Sequence, residues 1–226
     1  MQELFDLPDQ YDQMLNKGIG ATGNDKHFFI KGRLDLLFSK IPKDFRVKRI
    51  LDFGCGTGAT SSRFSQLFSE ATVIGTDVSD TSIEFAKKTY SSENLQFITI
   101  RELENEEKFD LIYLNCVLHH IEPKDRNASM NLLFSLGHSN SLFWIFENNP
   151  ANPGTQWAMY TNPFDKGVVK IWPGQLAKMA NSIGFQIIET NFIFYFPQWL
   201  SIFRPIEKYL IKLPFGGQYG LLAKKA

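Results

Sequence analysis

Residues Ile50–Ser61 read ILDFGCGTGATS. The apolar pair Ile50-Leu51 leads through Asp52 and Phe53 into glycines at alternate positions, Gly54, Gly56 and Gly58. The stretch from Ala59 to Phe68 that follows is helix-compatible. A strand that enters a glycine-rich turn and leaves it as a helix is how α/β proteins build a nucleotide site. Glycine lets the backbone turn tightly and approach a ligand with no Cβ in the way. The helix that follows presents free N–H groups at its start.

Strand and helix patterns alternate outward from that turn. Upstream, Asn24 or Asp25 is placed to cap a helix over Lys26–Lys40, where Phe29, Ile30, Leu34, Leu37 and Phe38 recur at helical spacing. Pro42 stops it, and Arg46–Phe53 is the first strand. Further strands are expected at Ala71–Thr76, Leu95–Ile100, Phe109–Asn115, Ser141–Glu147, Phe185–Phe196 and Gln218–Lys224. Helices are expected from Ser79 or Asp80 to Tyr90, from Pro123 to Gly137, and over Pro173–Ile183 ahead of Gly184. The alternation predicts an α/β fold. It is a Rossmann-like, doubly wound, seven-stranded and mainly parallel sheet, with helices on both faces and an antiparallel last strand. One domain is expected over 1–226: an N-terminal helical cap over 1–42, a cofactor-binding core over 46–147, and a substrate-side segment over 148–226.

Composition removes several function classes. The 226 residues carry a formal net charge of zero, so no global electrostatic case for nucleic acid exists. No basic, aromatic-interleaved segment adds a local one, and no nucleic-acid partner is expected. Cys55 and Cys116 lie far apart, which is neither a disulfide framework nor a spaced metal site. No metal is expected, and a reducing cytoplasmic setting is. The first residues are acidic and lack the apolar centre of a signal peptide. No apolar run reaches the ~18 residues that span a bilayer.

In doubly wound sheets ligands bind beyond the carboxyl ends of the strands. That rule selects Gly54–Gly58, Asp77, the segment after Ile100, Asn115–His120 and Glu147–Asn152. The turn satisfies a dinucleotide pattern through Gly54, Gly56 and Ala59, with Asp77 placed for a ribose, so an NAD(P)-dependent oxidoreductase is one reading. Asp52 argues against it, because a carboxylate there would repel a pyrophosphate and suits a cationic amino group.

Asp52-Phe53-Gly54-Cys55-Gly56-Thr57-Gly58, Asp77, Phe109-Asp110-Leu111-Ile112 and Val117-Leu118-His119-His120 together resemble the class I S-adenosylmethionine-dependent methyltransferases. The resemblance implies S-adenosylmethionine as cofactor, held along Gly54, Cys55, Gly56, Thr57 and Gly58. It implies Asp77 for the ribose hydroxyls and Val78 against adenine. Asp52 and the Asn115 carbonyl would take the α-amino group. The family's acidic residue after the third strand has no direct match, and Glu102 is the nearest substitute. Arg33 of the N-terminal helix is a candidate for the cofactor carboxylate, against the plain reading of an exposed cation.

The cofactor carries its own leaving group, so the protein aligns an acceptor and, for a hydroxyl or amine, removes a proton. His119 and His120 follow the fourth strand and are the candidate general bases, with one of the two expected to face the pocket. Glu147 ends the fifth strand, where it would orient a histidine or bind an acceptor hydroxyl. Tyr11 and Tyr160 are weaker candidates. An insertion at about 198–213 carries Trp199, Leu200, Ile202, Phe203, Ile206, Tyr209, Leu210 and Leu213. It is expected as two short helices, split near Pro205, that cover the sheet or pocket, form a dimer face, or touch a membrane weakly. The expected partner is a small-molecule or lipid-linked acceptor, and the chain a monomer or homodimer. A catalytically silent cofactor-binding protein is the remaining reading.

Overall fold

Arg49–Phe53 (β1) is buried from Ile50 onward, because both of its faces are covered. The computed structural model describes residues 19–225. The part of the expected cap before Ile19, with Tyr11, lies outside the described residues. The other strands are β2 (Thr72–Asp77), β3 (Leu95–Thr99), β4 (Phe109–Asn115), β5 (Gly137–Asn148), β6 (Phe185–Ile193) and β7 (Gln218–Lys225). Among the described residues they form one seven-stranded sheet in the order β3-β2-β1-β4-β5-β7-β6. β1 pairs in parallel with β2 and β4, and β7 runs antiparallel to both β5 and β6. Strand order reverses between β1 and β4, which opens a crevice at their carboxyl ends.

The helices are α1 (Lys26–Lys40), α2 (Ala59–Leu67), α3 (Asp80–Thr89), α4 (Arg126–Leu136), α5 (Pro153–Thr161), α6 (Pro173–Ile183) and the short α7 (Glu207–Leu210). Alternation along the strands divides the core. Ile50 and Tyr113 pack with Leu34 and Leu37 of α1, Phe64 of α2 and Ile83 of α3. Leu51, Phe53 and Ile112 pack with Met130 and Leu133 of α4 and Leu176 of α6. Each fully buried side chain such as Leu37 or Phe64 contributes ~1.5–3 kcal/mol. Asp52 shares a face with Ile50, which directs it toward α2.

α1 occupies the expected span, and its cap is Asp25, whose carboxylate accepts from Phe28 N–H at 2.9 Å. α4 begins at Arg126, later than Pro123, because Asp125 N–H closes a turn onto the Glu122 carbonyl at 2.8 Å. β6 stops at Ile193, short of Phe196, because Phe194 takes φ +65° and leaves the sheet. The insertion folds as a 3₁₀ stretch over Gln198–Ile206, bent at Leu200, followed by α7. α5 was not expected: of its residues only Met159 is buried, so it shows no helical apolar stripe.

Candidate active site

Beyond β1 the chain turns through Gly54, Gly56 and Gly58, with φ of +76°, +52° and +85°. A Cβ on Gly54 would stand 2.3 Å from Val117 Cγ2. Gly54 and Cys55 N–H donate to the Thr76 carbonyl at 2.8 and 2.9 Å. Gly56 N–H donates to Asp77 Oδ2 at 2.8 Å, and Ser79 N–H to Asp77 Oδ1 at 3.0 Å. Asp77 therefore ties the turn to β2, and Ser79 caps α3.

A cavity of ≈ 1070 Å³ lies over the carboxyl ends of β1, β2 and β4. Asp52, Gly54, Cys55, Gly56, Thr57, Asp77, Val78, Asn115 and Arg33 all line it. Gly58 does not: it packs behind the turn, where a Cβ would meet Phe97 at 2.7 Å and Ala86 at 2.9 Å. Glu102 is also outside, since its carboxylate accepts from the N–H and hydroxyl of Thr99 and closes the end of β3. Tyr160 is exposed and lines no part of the cavity.

Arg33 is buried, not the exposed cation of the plainer reading. It donates to Tyr113 Oη at 3.1 Å and Gln218 Oε1 at 3.0 Å, and among the described residues it pairs with no carboxylate. Asp52 accepts a 2.6 Å hydrogen bond from Ser61 Oγ. Burial pushes Asp52 up to about 7; the Ser61 bond and Arg33 oppose the rise, and the Asp77 charge adds to it. Asn115 Oδ1 is buried with no donor among the described residues. Burial pushes both Cys55 and Cys116 thiols well up, which keeps them unreactive.

The opposite wall is built by a sharp exit from β4. Cys116 takes φ +57° and donates to the Phe146 carbonyl at 2.9 Å, and Leu118–His120 form a single 3₁₀ turn. That turn places both His119 and His120 on the cavity, with ring centroids 4.1 Å apart, where one had been expected. Glu147 stays behind the wall. Its Oε1 accepts from Leu118 N–H at 2.9 Å and its Oε2 lies 2.5 Å from His119 Nδ1, so it orients the ring.

His119 Nε2 lies 3.2 Å from Oδ1 of Asp165, a residue the sequence reading missed. Asp165 ends the Pro163–Asp165 turn that follows α5, and Asn162 Nδ2 holds its Oδ2 at 2.7 Å. Burial disfavours a charged ring at His119, but Glu147 and Asp165 outweigh it and raise the group to about 9. Burial and then the His119 charge lower His120 to about 4. The doublet is thus split into a charged and a neutral imidazole at neutral pH. Asn149 is a clamp, its Nδ2 donating to the carbonyls of Pro214 and Gly216, while Asn148 and Asn152 reach the cavity.

Strand order, glycine turn and carboxylate at the end of β2 are those of the fold shared by class I S-adenosylmethionine-dependent methyltransferases. Residues 51–138 match the family of methyltransferase domains. The chain is 28% identical over 118 residues to an uncharacterized protein of Rickettsia prowazekii, covering 50% of this chain and 47% of that one. It is 37% identical over 91 residues to malonyl-[acyl-carrier protein] O-methyltransferase 1 of Ilyobacter polytropus, covering 38% of this chain and 33% of that one. The chain spans about half the length, or less, of the curated relatives it matches. The crystal structure of an S-adenosylmethionine-dependent methyltransferase from Archaeoglobus fulgidus aligns with a TM-score of 0.64 at 19% identity, over 89% of this chain and 100% of that one. That likeness is one of fold. Among the described residues no helix is long and apolar enough to cross a membrane.

Proposed function

We propose that this chain transfers the methyl group of S-adenosylmethionine to a hydroxyl of a small-molecule or lipid-linked acceptor. The observation that carries the reading is that one cavity holds both the glycine turn with Asp77 and the His119–His120 turn. The residues present suit the cofactor. Arg33, buried and paired with no carboxylate among the described residues, meets its carboxylate. The Asp52 carboxylate and Asn115 Oδ1, which has no partner among the described residues, meet its ammonium. Gly54 and Gly56 pass it against bare backbone, Asp77 accepts from the ribose hydroxyls, and Val78 covers the adenine. When bound, the cofactor supplies an activated methyl group; the chain's residues bind, orient and exclude water.

The acceptor side has apolar walls, among them Phe28, Phe194, Trp157 and Trp199. The O-methyltransferase activity named for the Ilyobacter relative supports an oxygen acceptor. Trp199 and Leu200 continue from the cavity into the insertion, whose Ile202, Phe203, Ile206 and Tyr209 are exposed. That continuity supports a lipid-linked acceptor arriving across weak membrane contact. His120 faces the acceptor, while Glu147 and Asp165 position His119.

Calorimetric titration with S-adenosylmethionine and with NAD tests the cofactor, and heat from NAD alone refutes the reading. A screen of hydroxylated acceptors, scored by S-adenosylhomocysteine release, then tests the reaction. His120→Ala should lower turnover at least tenfold with cofactor affinity unchanged. If the chain binds the cofactor and methylates no acceptor class, the silent-protein reading replaces this one.

A further inference from the structure

The His119–His120 turn and Asp165 gather metal-competent atoms at one point of the cavity wall. We propose that His119 Nε2, His120 Nε2 and Asp165 Oδ1 form a three-ligand site for a first-row divalent transition metal ion, with its open positions on the acceptor cavity. The spacing of the two cysteines had suggested no metal; this site uses neither.

Three observations carry it. The first is distance. The donor atoms of the three residues all lie within 4.8 Å of one another, with His119 Nε2 and His120 Nε2 at 3.2 and 3.8 Å from Asp165 Oδ1. Metal bonds of ~2.0–2.2 Å place adjacent ligands roughly 3–3.5 Å apart, so a small rotation of His120 closes the set. The second is the partner on each remaining atom. Glu147 takes His119 Nδ1 and Asn162 holds Asp165 Oδ2, which leaves His119 Nε2 and Asp165 Oδ1 to face each other at 3.2 Å. A carboxylate behind a histidine is the usual support of a metal-binding ring. The third is charge. Glu147 and Asp165 are both nearly withdrawn from solvent, with side chains 1% and 8% exposed. The neighbouring cation Arg126 is turned to the carbonyls of Ile121 and Val169. The two buried carboxylates call for two positive charges, which one divalent ion supplies when it takes the place of the proton on His119.

Two imidazoles and one carboxylate suit zinc, cobalt, iron or manganese better than magnesium or calcium. A second grouping, Cys116 with His119 and Glu147, needs the nitrogen already bonded to Glu147, and its thiol is engaged by Asn148 and Gln218. The role of the ion rests on the methyl-transfer reading. An acceptor hydroxyl held on it, beside a second oxygen of the same molecule, loses its proton to water. Its lone pair then forms the bond to the methyl carbon while the carbon–sulfur bond breaks, and S-adenosylhomocysteine leaves.

The test uses the full chain without a histidine tag, stripped with a chelator and titrated with Zn²⁺, and separately Co²⁺, in the absence of cofactor. About one ion per chain should bind, with visible d–d bands for Co²⁺. Affinity should fall on the order of 100-fold or more in His120→Ala and Asp165→Asn, and ~10–100-fold in Glu147→Gln. Melting curves verify that the variants fold. Unchanged Zn²⁺ affinity in folded His120→Ala and Asp165→Asn overturns the site, as does absence of binding to the unaltered chain. If those variants unfold, zinc-edge X-ray absorption on the unaltered chain decides: two imidazoles support the site, and any other ligand set overturns it. A chain that binds Zn²⁺ but not S-adenosylmethionine refutes the methyl-transfer reading alone, and the converse refutes the metal site alone.

Discussion

Asp52 makes cofactor binding a proton-linked event. Its carboxyl is buried beneath the turn, held by Ser61, near Asp77 on β2 and Arg33 on α1, and sits at about 7 in the free protein. A bound ammonium favours the ionised form, so binding below that value expels a proton. Apparent affinity should therefore climb about tenfold per pH unit toward 7 and level off above it; at pH 6 it is about 11-fold below the plateau. Titrations from pH 5.5 to 7.0 stop about one unit short of ~8, where an α-amino group is half deprotonated. Calorimetry in two buffers of different ionisation enthalpy should count about 0.9 proton released at pH 6 and about 0.4 at pH 7, Asp52 giving about 0.5 and the ammonium regaining about 0.1. Asp52→Asn should flatten both curves. A wild-type chain with pH-independent affinity and no proton release refutes the assignment of Asp52 to the cofactor's amino group.

Three further outcomes follow from the geometry. Asp77→Ala should cost about 2–3 kcal/mol of cofactor affinity through loss of a charged acceptor, and unchanged affinity by calorimetry would place the ribose elsewhere. Gly54→Ala should destabilise by about 1–2 kcal/mol for its positive φ and about 1–3 kcal/mol for the collision with Val117; denaturant unfolding should show Val117→Ala restoring only the second part. Burial opposes ionisation of Glu189, but Lys212 and Lys40 hold it down to about 2. Its stabilisation is complete above the unfolded value of 4.5 and lost as pH falls through about 2. Melting temperature should fall over that interval, and fall less in Glu189→Gln.

Much of this architecture is written locally. Helical spacing from Phe29 to Phe38 located α1, and the run Phe109–Asn115 is β4 to the residue. The glycine spacing marked the turn because positive φ there tolerates little else. Asp165 was not legible: its meeting with His119 joins residues 46 positions apart and depends on α5, a helix with an exposed Trp157 and Tyr160. The orientation of both histidines was misjudged for a related reason. Alternation applies to strands, and the 3₁₀ turn after Cys116 follows a different period. Arg33 carries the same lesson, since burial under Tyr113 and Gln218 is a property of packing that helix periodicity does not show.

The placement of β7 has a consequence for biosynthesis. It fills the slot between β5 and β6, and its first residue, Gln218, holds Arg33 across 185 positions of chain. On the ribosome, β5 and β6 emerge before the strand that joins them. Until Lys225 has cleared the exit, both offer unpaired backbone edges of the kind that recruit other chains. Arg33 meanwhile waits for its partner. Translation thus delivers the cavity unfinished, with Gln218 the last of its lining residues to emerge, and completes it in the same step that seals the sheet.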